Sequence, residues 1–157
     1  MKVQAIMIEQ PLTCGPHWSL ADAARLMWDG DCGIVPVVNH EGVVIDVLTD
    51  RDICIAAATR NRTPADIQVG ELERGRVVSC RPDDDLQTAL GLMKQHRVRR
   101  LPVTDRGGAL RGILSINDIV LSADTAKAGV TSADVLDAFR VICARPGPAR
   151  RSQTATG

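Results

Sequence analysis

The chain has 157 residues, 45% of them hydrophobic, and its 19 Lys and Arg balance 19 Asp and Glu to a formal net charge of zero. That balance leaves no basic footprint for nucleic acid, and one Phe, two Trp and no Tyr leave no platform for stacking bases. No apolar run approaches a membrane span and no signal peptide opens the chain, so a cytoplasmic protein with an aliphatic core is expected.

From the N-terminus, Val3–Ile8 reads as a short lead-in helix and Pro11 to Cys14 as a short apolar strand. Ser19 precedes Leu20, Ala23, Ala24 and Met27, with Asp22 three residues after the serine, which predicts an N-capped amphipathic helix. Two strands follow, Ile34 to Val38 and Val43 to Leu48, with Gly42 in the polar turn between them. The second strand runs into a helix through Thr49-Asp-Arg-Asp52, and Thr59 to Ala65 reads as a linker.

The pattern then returns. A lead-in helix is expected near Asp66–Glu73 and a strand over Val77 to Cys80. Asp85 precedes a helix carrying Leu86, Ala89, Leu90 and Met93. Strands Leu101 to Thr104 and Leu110 to Leu114 flank Gly108, and Ser115-Ile-Asn-Asp118 opens a helix. Slid by 66 residues, segment 69–119 aligns with 3–53 without a gap and with thirteen identities in 51 pairs, among them Pro36/Pro102, Gly42/Gly108 and Asp52/Asp118. Unrelated segments would match at roughly three. The expected fold is therefore α+β: two β-α-β-β-α repeats, 1–60 and 66–123, packed about a pseudo-two-fold axis and sharing one core. Thr131-x-x-Asp134 caps a further helix over 131–144, which either docks on its own core or meets a partner. Residues 146–157 are small, polar and basic, and disorder is expected there.

Catalytic signatures are missing. His17, His40 and His96 fall in predicted loops with no acid at recognisable spacing, and neither phosphate-loop nor zinc-protease motifs occur, so no enzyme is expected. Cys14, Cys32, Cys54, Cys80 and Cys143 are sparse and irregular, which favours reduced, mostly core thiols. A thiol- or metal-responsive sensor, pairing Cys14 with Cys32 or Cys80, is the outlying alternative.

The strand-to-helix junctions hold the candidate chemistry. Thr49 with Asp52, and Ser115 with Asp118, each set a hydroxyl three residues before a carboxylate at a helix start. One reading is a plain helix cap. The other is a ligand site, in which the hydroxyl meets a phosphate and the carboxylate accepts from vicinal ribose hydroxyls. The repeats differ just upstream. His96-Arg-Val-Arg-Arg100 carries four potential cations where Gly30-Asp-Cys-Gly-Ile34 carries none, and arginine suits phosphate.

Arg99-Arg-Leu-Pro-Val103 followed by Gly112-Ile-Leu-Ser-x-x-Asp-Ile119, with Ile34-Val-Pro-Val37 and Val47-Leu-Thr-Asp-Arg-Asp-Ile53 as the first half, resembles a tandem pair of CBS domains, the Bateman module. The resemblance covers residues 1 to about 123. It implies a regulatory module without catalysis, binding AMP, ADP, ATP or S-adenosylmethionine between its sheets and forming disc-like homodimers. Carried over, Asp52 and Asp118 are ribose acids, and Thr49 and Ser115 are phosphate-side hydroxyls. Val47 and Ile113 border adenine, while Leu12-Thr13 and Val78-Ser79 offer backbone groups to its edge. Arg99 and Arg100 meet phosphates in the second site and Arg51 in the first. Leu101, Pro102 and Asn117, and Ile34, Val35 and Pro36, complete the two sets. The family usually has Gly where Asp46 stands, as at Gly112, so crowding is expected in the first site. A structural module with vestigial clefts, working through its C-terminal helix, is the main alternative.

Overall fold

The computed structural model describes residues 1–72, 75 and 77–144. The expected tail over 146–157 lies outside the described residues. Repeat 1 holds α1 (Leu20–Asp29), β2 (Ile34–Val38), β3 (Val44–Thr49) and α2 (Asp50–Thr59), after a two-residue strand β1 (Ile8–Glu9). Repeat 2 holds α3 (Leu86–His96), β4 (Arg100–Thr104), β5 (Leu110–Ser115) and α4 (Ile116–Ser122). Helix α5 (Ser132–Cys143) follows. His96 therefore ends a helix instead of lying in a loop.

Local chemistry starts each helix. Ser19 and Asp85 accept the backbone N–H three residues on, from Asp22 and Thr88. Thr49, Ser115 and Thr131 form reciprocal capping boxes with Asp52, Asp118 and Asp134. Each cap satisfies backbone donors that the first turn leaves orphaned.

The antiparallel pairs β2–β3 and β4–β5 have the same register moved by 66: Ile34 faces Thr49, and Arg100 faces Ser115. The hairpin turns meet at the pseudo-two-fold axis. Val44 N–H donates to the Gly108 carbonyl at 3.0 Å, and Leu110 N–H donates to the Gly42 carbonyl at 3.1 Å. Gly42 and Gly108 adopt positive φ of 77° and 85°, a region that glycine enters without a Cβ penalty.

The lead-in segments depart from expectation. They form 3-10 turns, Val3–Ala5, Pro64–Asp66 and Val69–Glu71, and each packs on the other repeat. Val3 N–H donates to the Asp84 carbonyl (2.9 Å), and Val69 N–H to the Trp18 carbonyl (2.9 Å), one bond at both ends of the exchange. β1 joins the edge of β5, giving a three-stranded sheet beside the two-stranded β2–β3.

The single core expected from the repeat is two cores. Leu20, Met27, Val35, Leu48 and Ile53 bury themselves with Ile67, Val69 and Leu72 from the second lead-in. Leu86, Met93, Leu101, Leu114 and Ile119 do so with Val3 from the first. Burial on each repeat's helical side, with a borrowed lead-in as its lid, closes each core separately. α5 joins the second core through Val135 and Ala138, and Lys94 on α3 pairs with Asp137 on α5. Of the two readings for this helix, docking on its own core is the observed one. The cysteines are less buried than expected: Cys14 and Cys80 are buried, but Cys54 and Cys143 are exposed.

Candidate functional site

The strands expected over Pro11 to Cys14 and Val77 to Cys80 shrink to single parallel bridges, Cys14 with Val37 and Cys80 with Val103. The reason is the proline next door. Cys80 N–H donates to the Pro102 carbonyl and Thr104 N–H to the Cys80 carbonyl; the next rung would need an N–H on Pro102, which has none. Pro36 stops the ladder beside Cys14 in the same way. The carbonyls of Leu12 and Val78 thus lie along a strand that cannot bond them. Among the described residues neither they nor the N–H groups of Thr13 and Ser79 take a backbone partner. Ser79 Oγ accepts from the Thr104 hydroxyl at 3.1 Å.

At the junctions the capping reading is realised in full. Ser115 N–H and Oγ both donate to Asp118 Oδ2, each at 2.7 Å, and Asp118 N–H returns to Ser115 Oγ at 3.2 Å. Thr49 and Asp52 repeat this at 2.9, 2.7 and 3.2 Å. In each box one carboxylate oxygen is engaged twice. The other, Oδ1, accepts no hydrogen bond among the described residues. The hydroxyl proton is committed to the carboxylate, so a phosphate would compete for it.

The repeats diverge around these boxes. Arg100 is exposed and stands opposite Ser115, and paired residues of a ladder project to one face. Ile34 occupies that place in repeat 1. Arg99, one residue earlier, is exposed, and its carbonyl accepts from Ile116 N–H at 2.8 Å. Leu101 and Pro102 are buried beneath, as are Val35 and Pro36 in repeat 1. Ile113 pairs with Pro102, as Val47 does with Pro36. Asn117 and Arg51 are exposed at the second positions of α4 and α2. Sequence reasoning missed Asp50. Its carboxylate accepts from Arg51 N–H at 2.7 Å and stands at the start of α2, where repeat 2 has buried Ile116. A negative charge there opposes a phosphate.

Gly112 lies against β1. A Cβ there would lie 2.8 Å from both the Ile8 carbonyl oxygen and Met7 Sδ, so the bare position admits β1. Asp46 is half-buried and accepts from Val47 N–H at 2.7 Å.

Burial, then the nearby Asp84 charge, pushes the Cys80 thiol up to about 12, so it stays protonated at neutral pH. Among the described residues no three His, Cys, Asp or Glu stand together to hold a metal. No helix there is long and apolar enough to cross a membrane.

A cavity of about 390 Å³ opens elsewhere, between α1 and α2, and contains none of the sequence-predicted site residues.

A family model of the CBS domain matches residues 3–58 and again 69–123. The chain belongs to the CBS domain family. Its two copies make it a tandem CBS module, and the α+β architecture agrees with the solved pairs. CBS domain-containing protein YhcV of Bacillus subtilis (strain 168) is 35% identical over 120 residues, which span 76% of this chain and 84% of that protein. The crystal structure of Hypoxic Response Protein I with two coordinated zinc ions superposes with a TM-score of 0.71 at 30% identity, covering 77% of this chain and 98% of that one. The structure of CBSX2 in complex with AMP gives a TM-score of 0.68 at 24% identity, over 77% and 94% of the two chains. Against the inosine-5'-monophosphate dehydrogenase of Nitrosopumilus maritimus (strain SCM1), 28% identical over 120 residues, the chain spans only 24% of the enzyme.

Proposed function

We propose that this CBS pair is a non-catalytic regulatory module that binds AMP, ADP or ATP, chiefly in repeat 2, and works as a cytoplasmic homodimer on a separate protein. The observation that carries this reading is the juxtaposition of Arg100 with the Ser115–Asp118 box, whose Oδ1 is uncommitted. Asp118 Oδ1 accepts from ribose, Arg100 meets phosphate, and the open backbone of Val78 and Ser79 reads the adenine edge. In repeat 1 the same box remains, but Ile34 replaces the arginine and Asp50 adds repulsion. The AMP complex of CBSX2 supports the ligand class.

A thermal-shift series with AMP, ADP, ATP, S-adenosylmethionine and NAD tests it. A ligand at 100 times its dissociation constant adds about 2.7 kcal/mol of stability. No shift with any of the five favours vestigial clefts, a reading supported by the complete capping boxes. A thiol sensor built on Cys80 is disfavoured by that thiol's burial.

A further inference from the structure

Thr104, at the end of β4, is the one buried polar residue among the described residues, 5% exposed. Moved back by 66 residues it falls on Val38, so the fold accepts an apolar side chain at this place. A buried hydroxyl is costly unless it is bonded, and packing alone gives no reason for one here. Its partner is Ser79: the Thr104 hydroxyl donates to Ser79 Oγ at 3.1 Å. Thr104 N–H also donates to the Cys80 carbonyl at 2.9 Å, so one residue holds 79 by its side chain and 80 by its backbone. The side-chain bond stands next to the rung that Pro102, without an N–H, cannot supply. Repeat 1 keeps only the backbone half. Val38 N–H donates to the Cys14 carbonyl at 2.9 Å, but Val38 offers nothing to the Thr13 hydroxyl.

We infer that Thr104 makes Ser79 a hydrogen-bond donor to the base in the repeat-2 site, and so selects purines that present an unprotonated ring nitrogen. The inference rests on the adenine-nucleotide reading above, which sets the backbone of Val78 and Ser79 against the adenine edge, and adds a side chain to that edge. Thr104 is buried and has no other acceptor among the described residues, so its proton goes to Ser79. A serine hydroxyl carries one proton and two acceptor lone pairs, and left alone it turns to suit either kind of neighbour. Here one lone pair is taken, which closes one direction to the Ser79 proton. A hydroxyl that accepts a bond is also polarised into a stronger donor. Half-buried Ser79 gives that proton to no acceptor among the described residues. Adenine answers it with the bare N1 beside its amino group. Hypoxanthine carries a proton on N1, so donor would meet donor, and a site built around a directed hydrogen bond rejects such a mismatch. Thr104 itself touches no ligand. It is a positioning residue that acts through Ser79.

Calorimetry on the full chain with AMP and with inosine monophosphate tests this in wild type, Thr104→Val, Thr104→Ser, Ser79→Ala and the double variant of Ser79→Ala with Thr104→Val. Wild type prefers AMP by about tenfold or more. Thr104→Val, which copies Val38 of repeat 1, lowers that preference by about threefold or more, with an unchanged circular dichroism spectrum. Thr104→Ser keeps the hydroxyl and keeps the preference. Ser79→Ala loses as much as Thr104→Val does, and the double variant loses no more than either, because the two hydroxyls act in one chain. A preference that survives Thr104→Val, or that falls equally in Thr104→Ser, overturns the inference and leaves the nucleotide reading standing. So does a further loss in the double variant, which would separate Thr104 from Ser79. A wild type that takes inosine monophosphate as well as AMP overturns the inference in the same way. A wild type that binds neither overturns the nucleotide reading itself, and the inference with it.

Discussion

Arg100 stands directly opposite Ser115 in the β4–β5 ladder, while Arg99 precedes the strand and is tied by its carbonyl to Ile116 N–H. Only Arg100 lies in the ladder beside Ser115, so in the proposed site it is the arginine given the phosphate. Arg100→Ala is expected to weaken ATP and ADP about tenfold or more, the loss of a hydrogen bond to a charged group, and to leave adenosine within a factor of two. Arg99→Ala moves none of the three by more than about threefold, in keeping with an exposed charge near a ligand. Calorimetry at two salt concentrations reads both effects; an unchanged order of affinities in Arg100→Ala would reduce the basic run to a solvated edge.

Asp118 and Asp52 have matching hydrogen bonds but different surroundings. Asp118→Ala is expected to lower AMP and adenosine affinity alike, by about 1.5–3 kcal/mol, because the proposed site sets this carboxylate against ribose rather than phosphate. Asp52→Ala changes little, since Asp50 already opposes a phosphate beside it. Both variants lose half a capping box and about 1 kcal/mol of stability, so binding is measured well below each melting temperature. Equal affinity losses for the two would remove the proposed asymmetry.

Gly112 is expected to tolerate no side chain without releasing β1. Gly112→Asp, which copies Asp46 of repeat 1, drives a Cβ to 2.8 Å from the Ile8 carbonyl and Met7 Sδ. Overpacking of this kind costs about 1–3 kcal/mol and lowers Tm by several degrees. Asp46→Gly has no such clash to relieve; it gives up the bond from Val47 N–H and adds backbone freedom to a strand, so Tm falls by less than in Gly112→Asp. Differential scanning fluorimetry decides. Equal shifts for the two would mean that β1 is not what the glycine accommodates.

What the sequence revealed and what it hid follow from the range of the interactions. The capping boxes at Thr49, Ser115 and Thr131 were legible because hydroxyl and acid lie three residues apart in the chain. The strand register was legible because two copies agree at Pro36/Pro102 and Gly42/Gly108. The exchange of lead-ins was not, because Val3 and Val69 look alike to any local pattern and either could pack on either repeat. The single bridge at Cys80 was hidden for a related reason: Pro102 ends that ladder from another part of the chain. At the site, Arg100 stood out by its charge. Asp50 did not, since an acid in the first turn of a helix is ordinary, and only the comparison with buried Ile116 gives it meaning.

Cys80 supplies a pH-dependent prediction whose sign follows from burial. Its thiol is raised to about 12 in the folded chain, against 9.0 for the free group, because the thiolate would be desolvated beside Asp84. The folded state therefore holds its proton where the unfolded state releases it. That contribution to stability is complete below pH 9 and is lost as pH rises from about 9 to about 12, with a slope near 1.4 kcal/mol per pH unit inside the window. Cys80→Ala removes the proton and flattens that part of the urea-denaturation profile, at the cost of a small cavity. Exposed Cys54 and Cys143 provide the kinetic counterpart. At pH 8 they react with a thiol reagent while Cys80 waits for global unfolding, so its rate tracks urea concentration and theirs does not. A Cys80 that labels as fast as Cys54 in native buffer would put its thiol at the surface and return the thiol-sensor reading to contention.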